Sequence, residues 1–195
     1  MEFIQLWFTG YFAPGRFIQE LREKPAPLWG FYGQLLRGLM DALLLFLPLY
    51  LMGRTPPMES FLTLFPTRTY YGTLIWLAPL VFFVQWLVGS GMTHVTLRLM
   101  KRPTDIDLIL NLSGMITLVV GSILLVWDWI WIALGGMNQY ALGISHLAID
   151  LYGIVIGVIA YKQLLGVPIW LGILLHMLTF MIVLPIAALF IRSPL

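Results

Sequence analysis

Between Phe31 and Ile191 the chain is nearly continuous in its apolar character, broken into five runs by short charged or proline-bearing connections. A helix needs roughly 20 apolar residues to cross the hydrocarbon of a bilayer. Runs at about 31–52, 70–97, 107–134, 142–165 and 168–191 all meet that length. Of the 195 residues, 60% are hydrophobic and 10% charged, against roughly 25% charged in a soluble domain. A short soluble chain must still cover itself with polar groups, so a large soluble core does not explain this shortfall. The expected fold is all-α. It is a polytopic membrane protein, with an N-terminal interfacial amphipathic segment (residues 1–29) followed by a bundle of five transmembrane helices (residues 30–195).

The stretch His94–Gly114 carries the clearest topological signal. It leaves the second run through Arg98, Lys101 and Arg102, turns at Pro103, and enters the third run behind Asp105 and Asp107. Lysine and arginine concentrate on the cytoplasmic side of a membrane protein. With the N-terminus inside, that side holds Arg16, Arg22, Lys24, Arg98, Lys101, Arg102 and Lys162. The outer side holds Arg54, Arg68 and Arg192. The reading is therefore N-terminus cytoplasmic and C-terminus outside. The turn itself, with His94, Arg98, Lys101, Arg102, Asp105 and Asp107, is a candidate cytoplasmic interaction surface. Its basic residues read as topology signals, and no nucleic-acid partner is expected.

The N-terminal segment opens with Glu2 and has no early Lys or Arg, so it does not read as a secretory signal. In 14–24, Phe17, Ile18 and Leu21 recur at helical spacing opposite Arg16, Glu20, Arg22, Glu23 and Lys24. One or two short helices are expected in the cytoplasmic interface, with Trp7 and Trp29 at headgroup depth, ended by Pro25 and Pro27. The connection 53–69, with three prolines, is the longest loop, and the tight turn at 162–168 makes the fourth and fifth runs neighbours.

Ionisable groups inside a span are costly and mark candidate sites. Arg37 and Asp41 are spaced i, i+4 near the middle of the first run and can pair on one face. Asp128, His146 and Asp150 lie toward the outer side. His146 and Asp150 are also i, i+4, a spacing that suits two metal ligands, an acid–base pair or a structural hydrogen bond. Leu147 stands where a zincin motif has glutamate. His176 and Gln85 fall near mid-span and could form a polar layer with Asp41. The three histidines lie at three different depths, which does not suit a b-type haem, and no cofactor is expected. With no cysteine in the chain, thiolate chemistry is excluded. Gly153 and Gly157 form a small-xxx-small face for close helix packing. No phosphate loop or nucleophile elbow is present, and Gly89-Ser90-Gly91 reads as helix packing.

The order of parts is similar to that of a known family. The leader APGRFIQELREKPAPLW precedes the first span, and MTHVTLRLMKRPTDIDLILNLSGM ends the second and opens the third. This arrangement resembles the prokaryotic branch of the Ypt/Rab-interacting-protein (YIP) family, five-span proteins with a cytoplasmic N-terminus. The resemblance implies fold and topology, and a prokaryotic plasma membrane. Eukaryotic members act in trafficking, bind small GTPases and each other, and carry a DLYGP-type motif before the first span. Here Asp150-Leu151-Tyr152-Gly153 falls inside the fourth span without the proline, so no functional residue carries over. The leading expectation is a non-enzymatic membrane-organising or scaffold protein, in the bilayer with itself or another membrane protein as partner. The alternative is a small transporter, channel or lipid-moving protein using Asp41, Gln85, Asp128, His146, Asp150 and His176. A membrane enzyme ranks third, because no pair has a specific catalytic spacing.

Overall fold

The computed structural model describes residues 2–24, 26–56, 66–135 and 139–190. Pro25, residues 57–65 of the long connection, Ile191 and Arg192 lie outside them. Among the described residues the chain is helical, with no strand. Its helices are α1 (Glu2–Phe12), α2 (Pro14–Arg22), α3 (Leu28–Leu51), α4 (Tyr70–Leu99), α5 (Ile106–Ala133), α6 (Gln139–Leu165) and α7 (Ile169–Phe190). Helices α3 to α6 are each long and apolar enough to cross a membrane, and α7 has a shorter apolar stretch, Ile169–Val183. The limits of α3 to α7 fall within three residues of the sequence expectation.

The turn between α4 and α5 is set by local chemistry. Lys101 takes a left-handed conformation (φ 56°), while Arg102 N–H donates to the Leu97 carbonyl and Lys101 N–H to that of Arg98. This is the Schellman stop for a helix, with lysine at a position where glycine is usual. Asp105 then caps α5, accepting from the N–H groups of Asp107 (3.0 Å) and Leu108 (3.2 Å). His94 Nδ1 meets Thr104 Oγ1 at 3.0 Å and ties the turn back to α4. Arg98, Lys101 and Arg102 stay exposed.

Packing centres on α3 against α5. Gly30 and Gly114 put backbone against backbone, so that a Cβ on either would overlap the other's helix. Such contact is open only to glycine, and it is the means by which membrane helices gain van der Waals energy where lipid offers no hydrophobic drive. Asn111 fastens the crossing: its Oδ1 accepts from Gly30 N–H (3.0 Å) and its Nδ2 donates to the Ala26 carbonyl (2.6 Å). The same register recurs seven residues on, where Arg37 lies across Gly121 and donates to its carbonyl. Near the far end Trp129 Nε1, one residue out of that register, donates to the Leu44 carbonyl at 2.7 Å. Contacts that advance together along both chains mark α3 and α5 as parallel.

That last bond has a cause in the sequence. Pro48 has no N–H to give Leu44, and its ring would press on that carbonyl. Here α3 widens into a π-turn over Ala42–Phe46, the usual device for relieving such a conflict. The Trp129 indole then satisfies the released carbonyl.

Helices α1 and α2 form a hairpin laid along α5 and α6. Phe17, Ile18 and Leu21 are each 0% exposed, packed in the same core as Leu112, Met115 and Ala160. The apolar face assigned from sequence to the bilayer interface is thus covered by protein. Lys24 pairs with Glu2 at the open end (3.4 Å) and lies over the Trp29 ring. At the tip, a Cβ on Gly10 would run into Val119, Trp7 Nε1 reaches Ser122 Oγ at 3.4 Å, and Tyr11 hydroxyl bonds the same serine. Val119 lies about 20 Å along α5 from its start, so Trp7 contacts the middle of that helix. Arg16, Gln19 and Glu23 remain exposed on the outer side of α2.

Replacing Gly114 with alanine should separate α3 from α5 and cost about 1–3 kcal/mol or more. Gly91→Ala, where nothing lies within 4 Å of the new Cβ, should be silent. Thermal unfolding of the detergent-purified variants, followed by size-exclusion chromatography, checks both outcomes.

Candidate functional site

Helix periodicity places Gln34, Arg37 and Asp41 on one face of α3, and all three are buried. Arg37 NH2 and Asp41 Oδ2 pair at 2.7 Å, with side chains 10% and 3% exposed. The guanidinium needs the space left by the missing side chain of Gly121, and it also stands 5.8 Å from the Phe82 ring centre. The i, i+4 pair read from sequence is therefore formed, and α5 contributes a third partner through its backbone. Asp41 Oδ1 has no partner among the described residues.

His146 pairs differently from the i, i+4 expectation. Its Nε2 meets Asp128 Oδ1 on α5 at 2.7 Å, which makes this a bridge between helices and leaves Asp150 without it. Asp128 also lies within the electrostatic reach of Asp41, while Arg37 and His146 both act on Asp150. These five ionisable groups from α3, α5 and α6 form one neighbourhood, although sequence separates them by up to 113 positions.

Beside this cluster the helices enclose a cavity of about 380 Å³, reached from α3, α4, α5, α6 and α7. Gln34 and Arg37 line it from α3, Gln85 and Trp86 from α4, Thr117 from α5, Asp150 and Tyr161 from α6, and His176 from α7. The volume is in the range of small-ligand sites. Asp150 makes no hydrogen bond or ion pair with any described residue, so its carboxylate is available to the cavity. His176 Nδ1 bonds the Gly172 carbonyl at 2.9 Å, and its ring lies 5.0 Å from that of Tyr161.

The Gly153/Gly157 face is occupied within the chain. A Cβ on Gly153 would meet Val120 of α5 at 2.8 Å, and one on Gly157 would overlap the His176 ring. Gly89 plays a similar part, facing Thr179 at 2.8 Å, and Ser90 Oγ meets Ser113 Oγ at 2.7 Å. The helix-packing reading of Gly89-Ser90-Gly91 holds for its first two residues, since Gly91 faces open space.

The structure thus brings Asp150, His176 and Gln85 to one cavity, with Arg37 at its edge. It sets Asp41, Asp128 and His146 beside the cavity in bonded pairs. The turn residues His94, Asp105 and Asp107 sit at the end of the bundle, where Asp105 and His94 have structural partners. No set of three His, Asp or Glu side chains among the described residues is placed to hold a metal ion. Sequence reading missed Gln34, Tyr161 and Gly121. The signal for Gln34 was present, one turn before Arg37 and itself a polar residue in an apolar run. Nothing in the sequence marks Gly121 as the seat of an arginine.

Comparison with protein-family models, with curated proteins and with solved structures finds no match for this chain.

Removing Arg37 alone should be far worse than removing the pair. Arg37→Leu leaves Asp41 buried without its cation, at a cost of about 3–5 kcal/mol, whereas Arg37→Leu with Asp41→Leu should recover most of that loss. Thermal unfolding of the two single variants and the double variant gives the coupling.

Proposed function

We propose that this is a non-enzymatic five-span membrane protein of the YIP-like class that takes up a small molecule into its central cavity. Binding would serve the passage of a solute or lipid component across or within the bilayer. The observation that carries this reading is a cavity of about 380 Å³ within the bundle, whose largely apolar wall carries the Asp150 carboxylate. Asp150, half-buried and without a hydrogen-bond partner among the described residues, would be hard to retain for packing alone, since an ionisable group inside a span is costly. The outward face of α4, with Trp76, Leu80, Val84 and Leu87 exposed one above another, fits contact with lipid.

In this reading α7 crosses as the fifth span, its chain continuing through Phe190. The N-terminus is cytoplasmic and the C-terminus outside, in a prokaryotic plasma membrane. Support comes from the charge distribution: Arg22, Lys24, Arg98, Lys101, Arg102 and Lys162 gather at one end of the bundle, whereas Arg54 and Arg68 lie at the other. The α1–α2 hairpin is proposed to enter from the basic end and to keep its charged outer side toward the interface.

A membrane-organising role, with the protein bound to itself or to another membrane protein, is the second reading. It is favoured by the exposed basic turn and by the exposed polar side of α2. A partner would meet those surfaces, because Gly153 and Gly157 are already covered by Val120 and His176.

The absence of native cysteine allows a direct test. Thr117→Cys faces the cavity, and Leu80→Cys, 64% exposed on the outer surface of α4, is the control. In the folded, vesicle-embedded protein, small water-soluble thiol reagents should modify Thr117→Cys and leave Leu80→Cys in the lipid unreacted. If Thr117→Cys is inert to every small reagent, the cavity reading fails and the organising role becomes the better account.

A further inference from the structure

Hydrogen-bond inventory gives the cavity a chemical preference. Several of the donors on its wall are engaged by the protein itself. Arg37 gives its guanidinium to Asp41 and the Gly121 carbonyl. Gln85 Nε2 donates to the Val183 carbonyl (3.2 Å), and Trp86 Nε1 to that of Leu110 (3.0 Å). Thr117 donates to the Ser113 carbonyl (2.8 Å). His176 completes the set. A carbonyl can only accept, so the contact of Nδ1 with Gly172 places the ring proton on Nδ1 and leaves Nε2 with its lone pair.

What distinguishes the wall is one carboxylate: Asp150, on α6, makes no hydrogen bond or ion pair with any described residue. The Gln34 amide oxygen is buried beneath the surface, and His176 Nε2 packs against Gly157. Charge runs the same way: the one guanidinium is matched by Asp41, which leaves Asp150 in excess. The rest of the wall includes the aromatic rings of Phe82, Trp86, Tyr161 and Phe180. Aromatic faces attract cations and not anions. An anion would meet a carboxylate here. An alkali or divalent metal would find a single carboxylate and too few oxygens.

We infer that the cavity takes an organic ammonium ion, a protonated amine whose N–H groups donate to Asp150 while its carbon body lies against the aromatic walls. This rests on the cavity being a ligand site. It goes further by naming the ligand's charge and hydrogen-bonding sense. Two sources supply such a group: a water-borne amine, and the ethanolamine headgroup of a membrane lipid.

The test uses the full chain carrying Thr117→Cys, in phosphatidylcholine vesicles, with three methanethiosulfonate reagents of similar size. One carries a primary ammonium, one a trimethylammonium and one a sulfonate. After correction for their rates with a free thiol, the ammonium reagent should react about tenfold faster than the sulfonate, the scale of one buried charge. Asp150→Asn should abolish that preference and Asp150→Glu should retain it. The primary ammonium should also outpace the trimethylammonium, which has no proton to donate to Asp150. Equal rates for ammonium and sulfonate overturn the inference and leave the cavity reading standing, as does a preference that survives Asp150→Asn. Failure of all three reagents to react sinks the cavity reading itself. With the preference established, phosphatidylethanolamine in the vesicles identifies the lipid amine if it slows labelling. Unchanged labelling identifies a water-borne amine.

Discussion

The contact of Gly30 with Gly114 sets the phase of the whole bundle. Two helices that touch backbone to backbone cannot slide or rotate without collision, so every later pairing of α3 with α5 follows from this one. Arg37 reaches Gly121 because both lie seven residues beyond the crossing, and Trp129 meets Leu44 farther along the same two helices. A guanidinium placed by that register then holds Asp41 and borders the cavity. Asn111 makes the crossing specific as well as close, since its two amide groups bond backbone on both sides of the entrance to α3. Small residues supply proximity and one polar side chain supplies register, the division of labour expected where lipid surrounds the helices.

The interior is organised by how its charges are grouped. Arg37 with Asp41 and Asp128 with His146 each pair at 2.7 Å. Buried pairs of this kind contribute little net stability against apolar packing. Their effect is on geometry: each pair bridges or stiffens helices that wall the cavity, while Asp150 is left over. A bundle needing only to pack would have no use for that remainder.

Much of this was legible in the sequence, and the missing part has a physical reason. Hydropathy and helical length located the helices to within a few residues, because crossing a bilayer demands a fixed length whatever the packing. The Arg37–Asp41 pair was legible because i, i+4 is a property of a single helix. Pairing between helices was not. His146 prefers Asp128 to its own i+4 neighbour because α5 and α6 approach at that depth, and one helix's spacing carries no record of another's rotation. The glycines show the same limit. Gly153 and Gly157 announced a packing face, but only the assembled bundle assigns that face to Val120 and His176. The amphipathic pattern of α2 was likewise correct as a pattern, while its apolar side found protein where a bilayer surface was expected.

The N-terminal hairpin has a consequence for the order of events during synthesis. Its apolar residues Phe17, Ile18 and Leu21 emerge first, yet the surfaces that bury them belong to α5 and α6, which are made much later. Until α5 leaves the ribosome the hairpin lacks the helix on which its tip docks, and until Ala160 follows, the core around Phe17 stays open. The hairpin therefore cannot reach its final seat before two much later helices are in place, and its apolar face needs cover in the meantime.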